Sequence, residues 1–371
     1  MEKKNRNKVR VAFRRNRRKR ARRRNLTRDV LENETASADE LTGERVTGKG
    51  SLTRYRTIIT NGDSDEPLRE VDAAGTVEGR VLSAVGQRCL VQDDSGVCCD
   101  CTVRRVVRTL LRNHRNAVVT GDRVRFTRAG DDQGVIERVE PRHGVLSRKS
   151  GQHEHIIVSN VDQVLILASA AAPPLKTNLI DRFLASSENG GVRAIVCINK
   201  CDLVDLADLQ PVMGLYGQLG YDVVATSALD GTGQDRLRGL LAGQETVLAG
   251  QSGVGKSSLL NAVQPELQLR TSDVSRGTGK GRHTTRRSSM IPLDSGGWVV
   301  DTPGIRQFQL WDVEPEEVEG FFVEFRPFVT LCRFPDCTHT HENDCGVKNA
   351  VAAGFISARR YESYLRMRDE E

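Results

Sequence analysis

A multidomain α/β architecture is predicted, with a small closed β-barrel, a doubly wound parallel sheet and a cysteine-rich helical tail. Three observations carry it. Five short strand-like runs lie between Gly75 and Val139, most of them separated by glycine and Asp/Asn turns. From Val161 onward, apolar runs alternate with helical spacings, the pattern of a parallel sheet covered by helices. Near the C-terminus, Cys332-x4-Cys337-x-His339-x5-Cys345 gathers three thiols and an imidazole within 14 residues.

Composition bounds the reading. The 371 residues suffice for two or three cores. Hydrophobic residues make up 38% and charged residues 28%, and no apolar run approaches the ~18 residues of a membrane span. The charged N-terminus lacks the apolar segment of a secretory signal. A soluble, cytoplasmic, monomeric protein with no membrane partner is expected. Nine cysteines, an odd number, argue for thiols or metal ligands rather than a disulfide framework. The net charge of +6 hides an asymmetry: residues 1–28 carry +14 and the remainder −8.

Residues 1–72 read as a basic arm and linker without fixed structure. The run Arg14-Arg15-Asn16-Arg17-Arg18-Lys19-Arg20-Ala21-Arg22-Arg23-Arg24 buries nothing and repels itself. Such an arm gains affinity for RNA by releasing counterions. Residues 73–150 form the barrel unit. Its strand-like runs are Gly75–Leu82, Arg88–Asp93, Val97–Val103, Asp122–Thr127 and Gly134–Val139. They suit an OB-type fold, a frequent binder of oligonucleotides. Aromatic side chains that stack on bases are scarce here, so RNA contacts would lean on Arg and Lys. Cys98, Cys99 and Cys101 read as ordinary strand cysteines, since adjacent strand residues face opposite ways.

Residues 151–312 carry the α/β pattern. Val161–Ala168 and Val192–Ile198 read as buried strands, Asp222–Ala225 as a third, with helical spacing at Asn178–Ser187 and Gln234–Leu241. Glu245–Ala249 is a strand that runs into Gly250-Gln251-Ser252-Gly253-Val254-Gly255-Lys256-Ser257, followed by a helix from Ser258 that Pro265 stops. This is G-x-x-x-x-G-K-[ST], the phosphate-binding P-loop, in the strand–loop–helix setting it requires. Glycines bring backbone N–H donors close to a phosphate. The helix N-terminus adds its positive end, Lys256 reaches the β- and γ-phosphates, and Ser257 can hold Mg²⁺. Asn199-Lys200-Cys201-Asp202 follows the second strand and fits N-K-x-D. A carboxylate at Asp202 pairs with two donors of guanine that adenine lacks, so adenine leaves it desolvated and unpaired. The stem of Lys200 can lie across the base, and Asn199 can tie neighbouring loops. Ser227-Ala228 offers a backbone N–H to the guanine oxygen.

Asp301-Thr302-Pro303-Gly304 fits D-x-x-G, with Asp301 holding Mg²⁺ through water and the Gly304 N–H meeting the γ-phosphate. Between it and the P-loop, Ser275–Arg287 is rich in Gly, Arg and Thr; Thr284 or Thr285 is the candidate switch threonine for Mg²⁺. GTPases usually run P-loop, switch threonine, D-x-x-G, N-K-x-D, then S-A. Here N-K-x-D and S-A come first, so the domain is a circularly permuted P-loop GTPase domain. A permuted sheet is acceptable where the old termini lay close together. Ile305 stands where many GTPases place a water-orienting glutamine. It has no donor or acceptor, so His283 in the mobile loop is the candidate catalytic residue.

Residues 313–371 form the tail. Cys332, Cys337, His339 and Cys345 suit a closed tetrahedral Zn²⁺ site, with His341 a possible substitute for His339. Helix-like stretches flank it at Pro315–Phe325 and Val347–Met367. Only 27 residues separate Gly304 from Cys332, which ties the D-x-x-G loop closely to the tail.

With these parts in this order, residues 74–367 resemble the RsgA (YjeQ/YloQ) family of small-subunit-dependent ribosomal GTPases. The signatures are Gly250–Ser258, Gly281-Arg282-His283-Thr284-Thr285, Asp301-Thr302-Pro303-Gly304-Ile305 and the C-x4-C-x-H-x5-C tail. The resemblance implies a late assembly factor of the small (30S) ribosomal subunit that binds its rRNA. It also implies conversion of GTP to GDP, stimulated by that subunit. The basic arm departs from the family core. Two other classes stand as alternatives: an RNA regulator that binds GTP only as a conformational ligand, and a P-loop ATPase of RNA metabolism, against which Asp202 speaks.

Overall fold

The computed structural model describes residues 6–12, 55–61, 68–69, 71, 75–110, 117–130, 132–150, 153–267, 289–301 and 317–369. The chain divides into two compact units, one of residues 1–143 with 150–159, the other of residues 144–149 with 160–371.

In the first unit, strands β1 (Arg6–Ala12), β2 (Tyr55–Asn61) and β3 (Leu68–Arg69) form a three-stranded antiparallel sheet. This corrects the reading of residues 1–72 as wholly without fixed structure. The physical reason lies in local alternation: Lys8-Val9-Arg10-Val11 has the period of a strand, and Ile58-Ile59 opposite it is β-branched. The dense arginine run after Ala12 lies outside the described residues.

The barrel follows as β4 (Val77–Val85), β5 (Arg88–Asp93), β6 (Cys98–Val103), β7 (Arg123–Arg128) and β8 (Gln133–Val139), with α1 (Arg105–Leu110) between β6 and β7. It closes in the order β4-β5-β6-β8-β7, β6 and β8 pairing parallel. These are the five runs expected, in an OB-like barrel. Its core holds Val81, Val91, Val124, Phe126 and Ile136 with Cys89, Cys99 and Cys101. Cys98 is exposed and Cys99 buried, as strand alternation requires. Burial pushes the Cys89 and Cys101 thiols up to about 12, which makes them inert. One end of the barrel is braced by fully buried Asp122. Its two oxygens accept from Arg142 Nε at 2.7 Å and Nη2 at 2.8 Å, Ser159 Oγ at 2.6 Å and Val119 N at 2.8 Å.

Two further strands follow the barrel in the chain, β9 (Leu146–Ser150), nearly all in the second unit, and β10 (His153–Val158), in the first. The second unit is built on β11 (Gln163–Ser169), α2 (Thr177–Asn189), β12 (Arg193–Asn199), α3 (Leu206–Gln218), β13 (Asp222–Thr226) and α4 (Gln234–Leu241). It continues with β14 (Gln244–Ala249), α5 (Lys256–Val263), β15 (Ser289–Pro292) and β16 (Gly297–Asp301). The sheet order is β13-β12-β11-β14-β16-β15, parallel except for β15. From β11 the chain steps outward to β12 and β13, then returns to the other side at β14. The strand order therefore reverses between β11 and β14, the position where α/β sheets place their ligands. Every residue of β11 is buried, as expected for a strand covered on both faces. Gln163 fits there because its Nε2 donates to Leu240 O at 2.7 Å and Thr246 Oγ1 at 2.9 Å.

The tail shares this second unit. It comprises short 3-10 turns at Val318–Phe321 and Val323–Phe325, then α6 (Arg326–Val329), α7 (Gly346–Ala352) and α8 (Ala358–Asp369). Val318, Phe322, Phe325, Val347, Ile356 and Tyr364 fill its core. The helix expected over Pro315–Phe325 is replaced, in its described part, by these 3-10 turns. Val318, Phe322 and Phe325 are buried there at a spacing of three to four that the turns also satisfy. The helix expected over Val347–Met367 is two helices, parted at Gly354, whose φ of +81° is a left-handed conformation that ends the first. No helix among the described residues is long and apolar enough to cross a membrane.

Candidate nucleotide site and metal centre

The C-terminal ends of β12, β13, β14 and β16 lie along one edge of the sheet, and each expected motif falls at one of them. The strand β14 ends at Ala249 and the P-loop begins. Gly250 has a φ of +142°, and a Cβ on it would lie 2.3 Å from Leu167 O of β11. Only glycine lets the loop leave the sheet so close to its neighbour. Gly255, at a φ of +94°, sits against Asn199, whose Nδ2 would be 2.6 Å from a Cβ there. The loop turns into α5, with Ser257 and Ser258 in the first helical turn. Lys256 Nζ donates to Gly250 O at 2.7 Å and Gln251 O at 2.8 Å, which fixes the ammonium over its own loop.

The N-K-x-D segment is tied to the P-loop directly. Asn199 is 1% exposed. Its Nδ2 donates to Val254 O at 2.9 Å, and its Oδ1 accepts from Thr226 Oγ1 at 3.1 Å. The Thr226 hydroxyl in turn lies 3.2 Å from Cys197 Sγ. Having spent its proton on Asn199, that hydroxyl accepts from the thiol. Burial pushes Cys197 up to about 12, so the thiol keeps its proton. Lys200 takes a left-handed φ of +62°, and its Nζ donates to Gly253 O at 2.8 Å and Ala172 O at 2.5 Å. A non-glycine residue held in that region is strained, and strain of this kind collects at functional sites. Asp202 follows in a 3-10 turn, Cys201–Leu203, with its side chain exposed at the sheet edge. Ser227 is buried beyond β13. Its Oγ accepts from Leu229 N at 3.1 Å and Asp230 N at 3.3 Å, which shapes the turn carrying Ala228.

Asn199, Lys200, Gly253 and Val254 are thus in contact, and Ser227 joins them through Thr226. Asp301 is the last residue of β16, beside the P-loop strand, and its backbone is described. His283, Thr284, Thr285 and Gly304 lie outside the described residues.

In the tail, one ligand atom each from Cys332, Cys337, His339 and Cys345 lies within 4.8 Å of all the others. His339 Nδ1 is 3.5 Å from Cys332 Sγ and 3.3 Å from Cys345 Sγ, so Nδ1 is the nitrogen that faces the thiols. His341 is exposed and bonds Thr340 Oγ1 at 3.0 Å; it is not in the cluster. Backbone amides complete the donor set: Gly346 N reaches Cys332 Sγ at 3.3 Å and Lys348 N reaches Cys345 Sγ at 3.4 Å. Burial pushes Cys337 up to about 12 and raises Cys345. Three thiols gathered at such a place lose their protons only to a bound cation, and the donor set fits Zn²⁺.

Sequence reasoning missed three residues around these sites. Thr226 orients Asn199. Glu319 places Oε2 at 3.0 Å from His339 Nε2, on the side of the ring away from the thiols. Glu342 braces the ligand loop, its carboxylate accepting from Thr338 N at 2.7 Å, Thr338 Oγ1 at 2.5 Å and Thr340 N at 3.0 Å. Only Thr226 had a local signal, as the residue that precedes the S-A pair.

Fold and site together define a circularly permuted P-loop GTPase with an OB-like barrel and a Cys3His tail. The family model described as RsgA GTPase matches residues 139–311. The "small ribosomal subunit biogenesis GTPase RsgA" of Shewanella oneidensis is 37% identical over 318 residues, covering 83% of this chain and 87% of that protein. The protein of the same name from Thermotoga petrophila is 43% identical over 253 residues, 67% of this chain and 82% of that one. Among solved structures, YjeQ from Thermotoga maritima matches with a TM-score of 0.65 at 36% identity, over 80% of this chain and 98% of that one. YloQ, described as a circularly permuted GTPase, matches with a TM-score of 0.61 at 31% identity, over 81% and 97% of the two chains. The chain belongs to the RsgA GTPase family.

Proposed function

We propose that this protein hydrolyses GTP to GDP and phosphate in the late maturation of the small ribosomal subunit in the cytoplasm. In this reading it binds the subunit's rRNA as a monomer and is stimulated by that subunit. The observation that carries the nucleotide reading is the bond from Asn199 Nδ2 to Val254 O, which joins a guanine reader to a phosphate cradle as one body. Gly250–Ser258 would surround the phosphates, with Gly304 at the γ-phosphate. Asp202 and the Ser227-Ala228 turn would select guanine, and Lys200 would lie along the base. Ser257, Asp301 and Thr284 would hold Mg²⁺, which screens the charge that builds up on the phosphates. Cys332, Cys337, His339 and Cys345 would hold one structural Zn²⁺. His283 would orient the attacking water, a role Ile305 cannot fill. The charge of the N-terminal segment, +14 over residues 1–28, supports a sequence-independent contribution to rRNA binding.

The test is nucleotide competition. GTP and GDP should displace a fluorescent guanine nucleotide where ATP does not, and Asp202→Asn should relax that preference by about 1–3 kcal/mol. Equal affinity for ATP and GTP in the unmutated protein contradicts the assignment.

A further inference from the structure

The tail is joined to the nucleotide-binding part of its unit by one fully buried cation. Arg360 of α8 is 1% exposed, and so is Asp181 of α2. Arg360 Nη1 donates to Asp181 Oδ1 at 2.8 Å. Its Nε and Nη2 donate to the two oxygens of Glu324 at 2.6 and 3.1 Å, the planar fork meeting a carboxylate in bidentate fashion. Phe322 lies against the same guanidinium, with its ring centroid 4.3 Å from Cζ. Asp181 Oδ1 also accepts from Tyr216 OH of α3 at 2.8 Å, while Asp181 Oδ2 has no hydrogen-bond partner among the described residues. Tyr216 OH lies 3.3 Å from Thr177 O, at the first residue of α2. Four elements therefore meet at one knot: α8 and the 318–325 turns from the tail, α2 and α3 from the nucleotide-binding part.

The two helices that meet at Asp181 are the ones whose leading loops hold the guanine reader. The loop before α2 supplies Ala172 O, one of the two carbonyls that fix Lys200. The loop before α3 is the reader itself, Asn199–Leu203, followed by Asp205, which caps α3 by accepting from Ala207 N at 2.9 Å. Arg360 bonds α2 alone, and Tyr216 links α3 to α2 through the same Asp181 Oδ1, so the seat of Asp181 is shared between the tail and α3. The loops ahead of these helices carry Ala172 O and Lys200 itself, so the seat of α2 and α3 bears on the guanine side of the site, where Lys200 Nζ rests on Ala172 O and Gly253 O.

We propose that Arg360 is a positioning residue for guanine recognition: by holding Asp181, the residue of α2 to which Tyr216 of α3 also bonds, the seated tail sets the geometry of the Lys200–Asp202 loop. A partner that lifts the tail would thereby weaken guanine nucleotide binding. This rests on the guanine-site reading above. It differs from coupling through the short chain between Gly304 and Cys332, because the route runs on the opposite side of the P-loop from D-x-x-G.

The experiment uses the full-length, zinc-loaded protein and two conservative variants, R360K and Y216F. Binding of GDP and of inosine diphosphate, which lacks the exocyclic amino group read by Asp202, is measured well below the melting temperature of each variant. Zinc content is measured in parallel. If the unmutated protein does not prefer GDP over ATP, the guanine-site reading fails and the clamp with it. Given that preference, R360K is expected to lose about tenfold and Y216F about threefold in GDP affinity, each with full zinc content. The ratio of GDP to inosine diphosphate affinity should fall in both. A purely structural role lowers the melting temperature and leaves that ratio unmoved. Folded variants whose GDP affinity and ratio stay within twofold of the unmutated protein overturn the proposal. If R360K does not fold, Y216F, which removes a single hydroxyl, decides alone.

Discussion

Replacing Asn199 with alanine tests the joint between guanine reader and phosphate cradle. Asn199 is 1% exposed and makes two side-chain hydrogen bonds, to Val254 O at 2.9 Å and from Thr226 Oγ1 at 3.1 Å. Asn199→Ala leaves a carbonyl and a hydroxyl buried without these partners. Each orphaned group costs about 1–3 kcal/mol. The hydroxyl still has Cys197 Sγ at 3.2 Å and retains part of its satisfaction. The Val254 carbonyl belongs to the P-loop itself, so its share falls on the loop's shape. The sum expected is about 2–3 kcal/mol of folding stability, with about 1.5–2.5 kcal/mol in nucleotide affinity, roughly 10- to 70-fold. Urea unfolding without nucleotide measures the first quantity, and titration of a fluorescent GDP analogue the second. Thr226→Val provides the control: it removes the hydroxyl alone, costs about 1 kcal/mol of stability and leaves the bond to Val254. Asn199→Ala within about 0.5 kcal/mol of the unmutated protein in both assays, the range of a neutral surface change, refutes the reasoning.

Other expectations follow from the tail and the arm. Glu319→Ala should weaken Zn²⁺ binding about 10- to 100-fold in a chelator competition, because the carboxylate stands 3.0 Å from His339 Nε2, where it favours the tautomer that leaves Nδ1 free toward the thiols. His341→Ala should leave the metal bound and His339→Ala should release it; the reverse outcome assigns the wrong histidine. Burial opposes ionisation of Glu342, but the Thr338 hydroxyl and the Thr338 and Thr340 amides outweigh it and lower its pKa from 4.5 to about 2. A carboxyl depressed on folding adds stability above its unfolded pKa and loses it as pH falls toward the folded one. Glu342→Gln should therefore flatten the part of the stability profile between about pH 4.5 and 2, measured by unfolding at each pH. Deleting residues 1–28 should reduce the salt dependence of RNA binding, and an unchanged slope would leave the arm without that role.

Much of this architecture was legible because its signals are local. The barrel strands announced themselves by alternation, and β5 runs over Arg88–Asp93 as expected. The strand β11 was readable despite Gln163, whose burial depends on Leu240 and Thr246, residues that no local pattern connects to it. Helix α3 escaped notice because Pro211, Gly214 and Gly217 dilute its helical spacing, although Asp205 caps it well. In the N-terminal arm, charge density overshadowed the short alternation at Lys8–Val11. The P-loop and N-K-x-D could be read residue by residue, since their chemistry requires fixed spacing. The choice between His339 and His341 could not, because either lies near the cysteines in sequence and only the folded loop, left-handed at His339 with a φ of +55°, shows His339 turned inward and His341 exposed. Arg360 and Asp181 stand 179 residues apart, and nothing near either one signals the other.

Multiple-turnover phosphate release tests most directly whether hydrolysis of GTP is stimulated by the small ribosomal subunit. The protein alone, with isolated small subunits and with isolated large subunits is assayed at saturating GTP. Slow turnover alone, strong stimulation by small subunits and none by large ones is the predicted result, with His283→Ala losing the stimulation while GTP binding persists. Equal rates in all three conditions, or stimulation by the large subunit instead, would contradict the account.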